Sequence, residues 1–203
     1  QVVIIGGGIS AAQAALALST QVSRPAALLS RHPLTESQFD FDPCWIGPKC
    51  LTSFYEQPYS SRRGIVNKAR LPGTLPGEVL DQLRSAVDVG RVMLRFGEIK
   101  SASYRQGRIR LKLPAETLSA DRLVLATGFD PCRPGGAFVD QLVNEFRLPI
   151  TGGGYPVVGK DLAWEKRIYV SGALAELQVG PCARNIIGIR NAGKLLLAGL
   201  GRG

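Results

Sequence analysis

The chain opens with a predicted strand that runs directly into three glycines and then into a helix. The strand, Val2–Ile5, consists of four β-branched residues, and an alanine-rich segment follows Gly6, Gly7 and Gly8. A strand, a glycine turn and a helix in this order form the geometry that holds a pyrophosphate. Gly6 permits the tight turn, Gly8 lets a phosphate approach the backbone, and Ala11 lets the helix pack closely on the strand.

The start of this helix supplies the groups that an anion needs. Free N–H groups and the positive end of the helix dipole lie at a helix N-terminus. The sequence therefore predicts that a dinucleotide binds at Gly6, Gly7, Gly8, Ser10 and Ala11. The alternative is a glycine-rich turn between a strand and a helix in another α/β fold, without a nucleotide.

Length and composition are those of an ordinary folded protein. The 203 residues, 45% hydrophobic and 20% charged, suffice for one large domain, or for one domain and part of another. Hydrophobic runs such as Leu195–Leu200 are too short to span a bilayer, and no signal-peptide pattern is visible. Because the sequence lacks an initial Met and its first strand begins at residue 2, we expect a trimmed start or a fragment of a longer protein.

The chain is strongly basic, with a formal net charge of +9. Such a charge suits nucleic acid, an anionic membrane surface or a phosphate-bearing cofactor. The basic residues are spread along the chain rather than gathered in one stripe, which disfavours nucleic acid as a partner. A phosphorylated dinucleotide is the simpler target.

The cysteines and the histidine give no sign of a metal or redox centre. The four cysteines, Cys44, Cys50, Cys132 and Cys182, contain no C-x-x-C pair, and His32 is the only histidine. This pattern predicts reduced thiols that pack as small apolar side chains, in a cytoplasmic protein without a metal site.

Hydrophobic periodicity predicts an α/β fold, a Rossmann-like three-layer domain with a central parallel sheet. Val2–Ile5, a helix from Ile9 to Leu18 and the strand Ala26–Ser30 form a first βαβ unit with a right-handed crossover. The other elements predicted in this part are a helix over residues 78–87, a strand over 92–96, a small antiparallel β-hairpin or meander over 98–113 and a strand over 121–128.

Residues 33–76 interrupt this pattern with a segment rich in proline and aromatic residues. We expect an insertion with short helices. Its aromatic side chains either lie against a cofactor or a neighbouring domain, or form a small cluster of their own. The predicted organisation is a dinucleotide-binding domain over 1–130, which carries the insertion, followed by a crossover and C-terminal segment over 131–203.

The C-terminal segment is expected to alternate helices and strands. Pro181 suits the first turn of a long helix, because a first-turn N–H makes no intrahelical hydrogen bond. The predicted elements are a helix over residues 138–146, a strand within 151–158, a strand over 167–172 and a helix over 181–200.

The residues that follow the second strand favour NADP over NAD. A carboxylate at this position accepts hydrogen bonds from the ribose hydroxyls and repels a 2′-phosphate. This chain carries Ser30 and Arg31 instead, a hydroxyl donor and a guanidinium that pairs with phosphate. Arg62 and Arg63 either add charge near the same phosphate or remain solvated.

Four segments, taken in order, resemble the flavoproteins with two dinucleotide-binding domains. The segments are Gly6–Gln13, Ser30-Arg31, Ala126-Thr127-Gly128-Phe129 and Tyr169–Ala173. Within that group the chain is most similar to the FAD- and NADPH-dependent monooxygenases, including the lysine and ornithine N-hydroxylases. Gln13 stands where that family usually has Glu.

The resemblance implies an NADPH domain inserted into an FAD domain, and hence NADP and FAD as cofactors. Residues 1–31 and 121–130 look like the NADPH domain, and 155–200 look like the segment that returns to the FAD domain. The FAD fingerprint that the family carries upstream is missing from the chain, so an upstream FAD domain is an expected partner. The resemblance adds five residues to the expected cofactor sites, namely Thr127, Gly128, Gly172, Pro181 and Asn185.

Three functions follow from these features. The first is the NADPH-binding part of a flavin-dependent oxidoreductase or monooxygenase that delivers hydride from NADPH to FAD. The second is a single-domain FAD-binding oxidoreductase, and the third is a non-catalytic NADP-binding module. Arg184 and Asn185 either contact the flavin or the nicotinamide, or are ordinary residues at a helix start. The sequence identifies neither catalytic residues nor the substrate.

Overall fold

The computed structural model describes residues 1–201, which form two compact units. The first unit comprises Gln1–Asp40 and Leu71–Asp130. The second comprises Phe41–Arg70 and the chain from Pro131 onward. The backbone therefore passes from one unit to the other three times, and residues 41–70, from the centre of the predicted insertion, group with the C-terminal segment.

The elements are numbered along the chain. The strands are β1 (Val2–Ile5), β2 (Ala26–Ser30), β3 (Thr35–Glu36), β4 (Thr74–Leu75), β5 (Val92–Phe96), β6 (Ser101–Arg105), β7 (Arg108–Lys112), β8 (Thr117–Ala120), β9 (Arg122–Leu125), β10 (Ala163–Glu165) and β11 (Ile168–Tyr169). The α-helices are α1 (Ile9–Ser19), α2 (Pro48–Glu56), α3 (Tyr59–Ala69), α4 (Gly77–Asp88), α5 (Gly136–Phe146), α6 (Glu176–Val179) and α7 (Ile186–Leu200). Short 3₁₀ helices lie at Pro43–Ile46, Gly172–Ala175 and Pro181–Arg184.

A parallel sheet of four strands in the order β5-β2-β1-β9 forms the centre of the first unit. β1 pairs with both neighbours, so that Ile5 lies opposite Leu29 on one side and Leu125 on the other. The three strand ends that follow these residues therefore meet at one edge of the sheet. This arrangement confirms the predicted parallel sheet and places the glycine turn at its carboxyl edge.

The sheet is covered on both faces, which completes the predicted Rossmann-like three-layer architecture. On one face α1 and α4 pack through buried residues that include Ile4, Ala15 and Leu83. On the other face the antiparallel meander β6-β7-β8 packs its Leu111 against the sheet residue Val3. Because strands with both faces covered read as continuous hydrophobic runs, β1 and β2 show no alternation in the sequence.

The second unit is mostly helical and contains the small antiparallel hairpin β10-β11. Aromatic residues of its first segment form their own cluster, in which the Trp45 and Phe54 rings are edge-to-face with centroids 5.7 Å apart. This segment is helical and contains an aromatic cluster. It also packs with the C-terminal segment, since the Tyr59 hydroxyl donates to the Val158 carbonyl at 2.6 Å, so both predicted arrangements of its aromatic residues are present. Among the described residues, no helix combines the length and apolar character needed to cross a membrane.

Two sequence predictions in the second unit are wrong. The predicted helix Pro181–Leu200 is divided, because Asn185 takes an extended conformation between the 3₁₀ helix and α7. The predicted strand within 151–158 is reduced to a single bridge between Ile150 and Pro156. Pro156 has no N–H to donate to a longer ladder. In the first unit, the strands β3, β4 and β8 were not predicted from the sequence.

Candidate functional site

Gly6 lies where the ends of three strands come together in the first unit. Its N–H donates to the carbonyl of Leu29 at 3.0 Å, and the N–H of Ala126 donates to Ile5 at 2.8 Å. A Cβ atom on Gly6 would lie 2.2 Å from the carbonyl oxygen of Ala126, and its φ of +151° lies in the region that favours glycine. This position excludes every side chain, so the first glycine is required by the fold itself.

Gly8 is the N-cap of α1 and has an ordinary extended conformation, with φ of −101°. A Cβ atom here would approach only Gly73 Cα, at 3.5 Å, which is an ordinary van der Waals contact. The fold therefore does not need glycine at this position. A phosphate held against the backbone does need it, because a methyl group would fill the space through which it approaches.

The N-terminus of α1 keeps its donors available. The N–H groups of Ala11 and Ala12 donate to the Gly8 carbonyl and begin the helical ladder, at 3.0 and 3.1 Å. Within the described residues, no side chain caps α1 and no acidic residue lies in its first turn. Ile9 and Ser10 are exposed and precede this ladder. The helix start therefore combines a positive dipole end with N–H groups open to an anion.

Ser30 and Arg31, both predicted to contact the nucleotide, differ in accessibility. Ser30 is 2% exposed, and its hydroxyl donates to the carbonyl of His32 at 2.6 Å. A Cβ atom on Gly7 would lie only 2.5 Å from the Ser30 Oγ. Ser30 thus shapes the turn after β2, while Arg31 is exposed at the carboxyl edge of the sheet.

The surroundings of Arg31 are electrostatically mixed. The pKa of Glu98 is lowered because Lys100 donates a hydrogen bond to its carboxylate, and the charges of Lys100, Arg31 and His32 lower it further. Glu98 is fully exposed, so solvent screens these interactions strongly. Arg31 and Lys100 thus both act on Glu98 beside the sheet edge that would meet a 2′-phosphate.

Thr127 and Gly128 follow β9 at the same edge of the sheet as the glycine turn. Gly128 has φ of +78°, and a Cβ atom there would meet nothing within 4 Å. A glycine is favoured here because the backbone is left-handed, and not because neighbouring atoms would clash with a side chain. Thr127 is exposed. Within the first unit, the structure thus brings the candidate residues Gly6–Gly8, Ser10, Ala11, Arg31, Thr127 and Gly128 to one sheet edge.

The remaining candidates, Gly172, Pro181 and Asn185, belong to the second unit. Gly172 has φ of +59°, and a Cβ atom there would meet nothing within 4 Å, whereas Pro181 is buried at the first turn of its 3₁₀ helix. The Asn185 Oδ1 accepts a hydrogen bond from the Gly188 N–H at 3.1 Å, which makes Asn185 the N-cap of α7. Its side chain thus has the ordinary role of a helix-start residue.

Arg62 is a buried organising residue that the sequence analysis did not recognise. It is 7% exposed and donates to the carbonyls of Tyr55, Gln57 and Leu177, each at 2.9 Å. Its guanidinium also lies 4.3 Å from the centroid of the Tyr59 ring. Burial raises the pKa of Tyr59, although the nearby Arg62 charge opposes this shift. The prediction of a solvated Arg62 is therefore wrong.

Glu176 is fully buried between two guanidiniums. It accepts hydrogen bonds from Arg63, and from Arg184 at 2.8 Å. Burial opposes the charge on Arg184, but the hydrogen bonds and charges of Glu176 and Tyr155 together outweigh it, so the pKa of Arg184 is raised. Arg184 also reaches the Tyr155 hydroxyl at 3.2 Å. These partners assign Arg63 and Arg184 to an internal ion-pair network of the second unit rather than to a free nucleotide-facing surface.

The cysteine prediction needs a correction. Cys44 and Cys50 form a disulfide, so this pair is not present as reduced thiols. Their spacing is not a C-x-x-C motif, and the helical turn that brings them together was not visible in the sequence. Cys182 is buried and Cys132 is exposed, and both lie outside this disulfide.

Comparison with solved structures shows which fold this is. No family model matches the sequence, and no curated protein matches it either. The reduced form of ornithine hydroxylase from Pseudomonas aeruginosa superposes on 96% of this chain with a TM-score of 0.66 and 19% identity. The HOCl-induced flavoprotein disulfide reductase of Escherichia coli covers the whole chain with a TM-score of 0.60 and 14% identity. The chain therefore has the fold of the part of these two proteins that it matches.

The predicted resemblance is thus confirmed at the level of the fold. Bacillithiol disulfide reductase from Bacillus cereus also shares this fold, with a TM-score of 0.57 and 18% identity over the whole chain. The chain spans only 36 to 52% of the length of these three proteins. The shared fold therefore does not by itself give this chain the activities of the complete proteins.

Proposed function

We propose that this chain is the NADPH-binding part of a flavin-dependent oxidoreductase of the monooxygenase kind. The observation that carries the proposal is the start of α1, where Gly8 is not needed by the fold yet leaves the backbone open to a phosphate. NADPH, when bound, supplies a hydride, and FAD accepts it. The chain's own residues bind and orient the nucleotide.

The roles within the glycine turn follow from the geometry. Gly6 fixes the turn, the N–H groups before the α1 ladder donate to the pyrophosphate, and Ser10 lies exposed beside them. Arg31 pairs with the 2′-phosphate and so selects NADPH over NADH. Thr127 and Gly128 line the same sheet edge.

The second unit contributes to an FAD site rather than to the NADPH site. By analogy with the longer flavoproteins, the chain from Gly172 through Pro181 to α7 completes an FAD site together with a further FAD domain. The left-handed Gly172 and the Gly180 N-cap of the 3₁₀ helix that begins at Pro181 support this assignment, because neither position carries a side chain. Asn185 caps α7 through its Oδ1. The proposed setting is the cytoplasm.

The decisive experiment compares two helix-capping glycines. Gly8→Ala adds a methyl group to the N-cap of α1, and Gly47→Ala does the same at α2, whose N-cap also lacks a side-chain hydrogen bond. A Cβ atom meets nothing within 4 Å at Gly47. Gly8→Ala should weaken NADPH binding at least about ten-fold, equivalent to about 1.4 kcal/mol, while Gly47→Ala should not change it. Fluorescence titration with NADPH measures both, and equal affinities in the two variants would refute the assignment.

The same preparations separate the alternative functions. Saturating NADPH should raise the melting temperature of the wild type, since a ligand that binds only the folded state stabilises it. A single-domain FAD protein would instead gain stability with FAD and retain a yellow colour after gel filtration. If NADPH binds but no flavoprotein partner reoxidises it, the non-catalytic module is favoured.

A further inference from the structure

The Cys44–Cys50 disulfide lies at the start of α2 in the second unit. It joins the 3₁₀ helix Pro43–Ile46 to the first turn of α2 across a sequence separation of six. Both cysteines are partly exposed. Cys182, by contrast, is fully buried.

The two sulfurs have different electrostatic surroundings. Cys50 is the third residue of α2, after Pro48 and Lys49, and the Gly47 N-cap offers no side chain to the helix donors. A thiolate at Cys50 is therefore stabilised by the helix dipole and by the neighbouring cation. Cys44 lies instead beside a carboxylate, because its own N–H donates to Asp42 Oδ1 at 2.8 Å. A negative charge on the Cys44 sulfur is accordingly disfavoured.

We propose that Cys44–Cys50 is a thiol–disulfide exchange site for low-molecular-weight thiols, with Cys50 as the leaving thiolate. An external thiolate attacks the Cys44 sulfur, the Cys44–Cys50 bond breaks, and its electron pair leaves on Cys50. A second thiol attacks the external sulfur of the mixed disulfide and releases Cys44. In total, two thiols are oxidised to one disulfide, both cysteines are reduced, and the two thiol protons pass to the cysteines.

Trp45, which lies between the two cysteines, makes the exchange observable. Its carbonyl accepts a hydrogen bond from the Cys182 Sγ at 3.7 Å, and its ring lies 3.9 Å from the position of a Cβ on Gly180. The disulfide thus constrains a segment that packs on the turn before α7. Opening the disulfide should change the Trp45 fluorescence, whereas Trp164 is remote in sequence and donates to the Pro149 carbonyl.

The first test counts thiols in the folded chain. A Cys132→Ser background removes the exposed cysteine outside the disulfide, and the protein is alkylated with N-ethylmaleimide before and after equilibration with dithiothreitol. Intact mass should show two additional adducts after reduction, together with a change in Trp45 fluorescence, and neither change in the Cys44→Ser/Cys50→Ser control. Two adducts without reductant, or none after it, would overturn the proposal.

The second test measures the asymmetry between the sulfurs. Cys44→Ser retains only Cys50, and Cys50→Ser retains only Cys44, each in the Cys132→Ser background. At pH 7 the Cys50 thiol should react with oxidised glutathione about three- to ten-fold faster than Cys44, and Lys49→Gln should reduce that advantage. Equal rates would refute the role of Cys50. Neither test uses a nucleotide, so their outcome is independent of NADPH binding.

Discussion

The helices α1 and α7 begin in opposite ways, although the sequence assigned a dinucleotide to both. α1 begins at Gly8, and the described residues provide it with no side-chain cap. α7 begins at Asn185, whose Oδ1 already accepts from the Gly188 N–H. An N-cap side chain occupies a donor that an anion would otherwise use. Of these two helices, α1 is therefore the better built for a phosphate.

Glycines alone do not distinguish the two helix starts. A Cβ atom on Gly6 would lie 2.2 Å from Ala126 O, and one on Gly188 would lie 2.0 Å from Cys182 O. Both glycines let one stretch of backbone pack against another, which is a structural role. The residue at the cap, rather than the number of glycines, determines whether the helix donors remain open.

The largest expected effect is loss of stability at the two crowded glycines. Gly6→Ala and Gly188→Ala should each lower the free energy of unfolding by at least about 3 kcal/mol, because a methyl group would overlap a carbonyl oxygen. Urea denaturation followed by circular dichroism measures this. Gly64→Ala, where a Cβ meets nothing within 4 Å, is the control and should gain up to about 1 kcal/mol. A loss below about 1 kcal/mol at Gly6 would show that the strand ends can separate.

Charge reversal at Arg31 should have the next largest effect. Arg31→Glu should weaken NADPH binding about 100-fold, since a charge-assisted pair is replaced by repulsion, and should change NADH binding less than about three-fold. Arg122→Glu makes the same charge change on the exposed first residue of β9, at the amino edge of the sheet. Equal losses for NADPH in the two variants would indicate general attraction rather than recognition of the 2′-phosphate.

A smaller effect is expected at the closed helix start. Asn185→Ala should cost about 1 kcal/mol of stability through loss of the cap, whereas Asn185→Asp should retain most of it. Thermal unfolding measures this difference. NADPH affinity should stay at the wild-type level in both variants. A ten-fold loss of affinity in Asn185→Ala would place a nucleotide at α7 and remove the distinction between the two helices.

The smallest effect concerns the titration of Glu98 near Arg31. Lys100→Gln should raise the Glu98 pKa toward its ordinary value, and Arg31→Gln should raise it less, following the order of their contributions. A pKa that is lower in the folded state stabilises the fold above the unfolded pKa, and this stabilisation is lost as pH falls through the folded pKa. Carboxyl NMR titration reads the shift directly. A larger shift for Arg31→Gln would put Arg31 in direct contact with Glu98.

Local patterns predicted the first unit well. The bounds of β1 and β2 follow from short hydrophobic runs, and the glycine turn between β1 and α1 is a contiguous signal. The buried network of the second unit could not be predicted in this way, because Arg62 and Arg63 meet Leu177 and Glu176 more than 100 residues later. A charged residue that is internally paired looks the same in a sequence as one that is solvated.

The break before α7 and the Cys44–Cys50 disulfide are two further features that could not be predicted from the sequence. In a sequence, an asparagine is compatible with the interior of a helix and with an N-cap. The backbone of the folded protein determines which role it takes, and Asn185 is an N-cap. Cys44 and Cys50 approach each other because a 3₁₀ helix and the first turn of α2 follow in succession. Spacing alone did not indicate that proximity.

The interleaved order of the two units has a consequence for synthesis on the ribosome. Residues 41–70 emerge before Leu71–Asp130, yet their compact partner begins only at Pro131. The parallel sheet of the first unit can close once β9 has left the exit tunnel, while Arg62 and Arg63 still lack the acceptors that will bury them. During translation, the helices of residues 41–70 are therefore exposed until the C-terminal segment has been synthesised. Exposed, incompletely packed segments of this kind are the ones that chaperones protect.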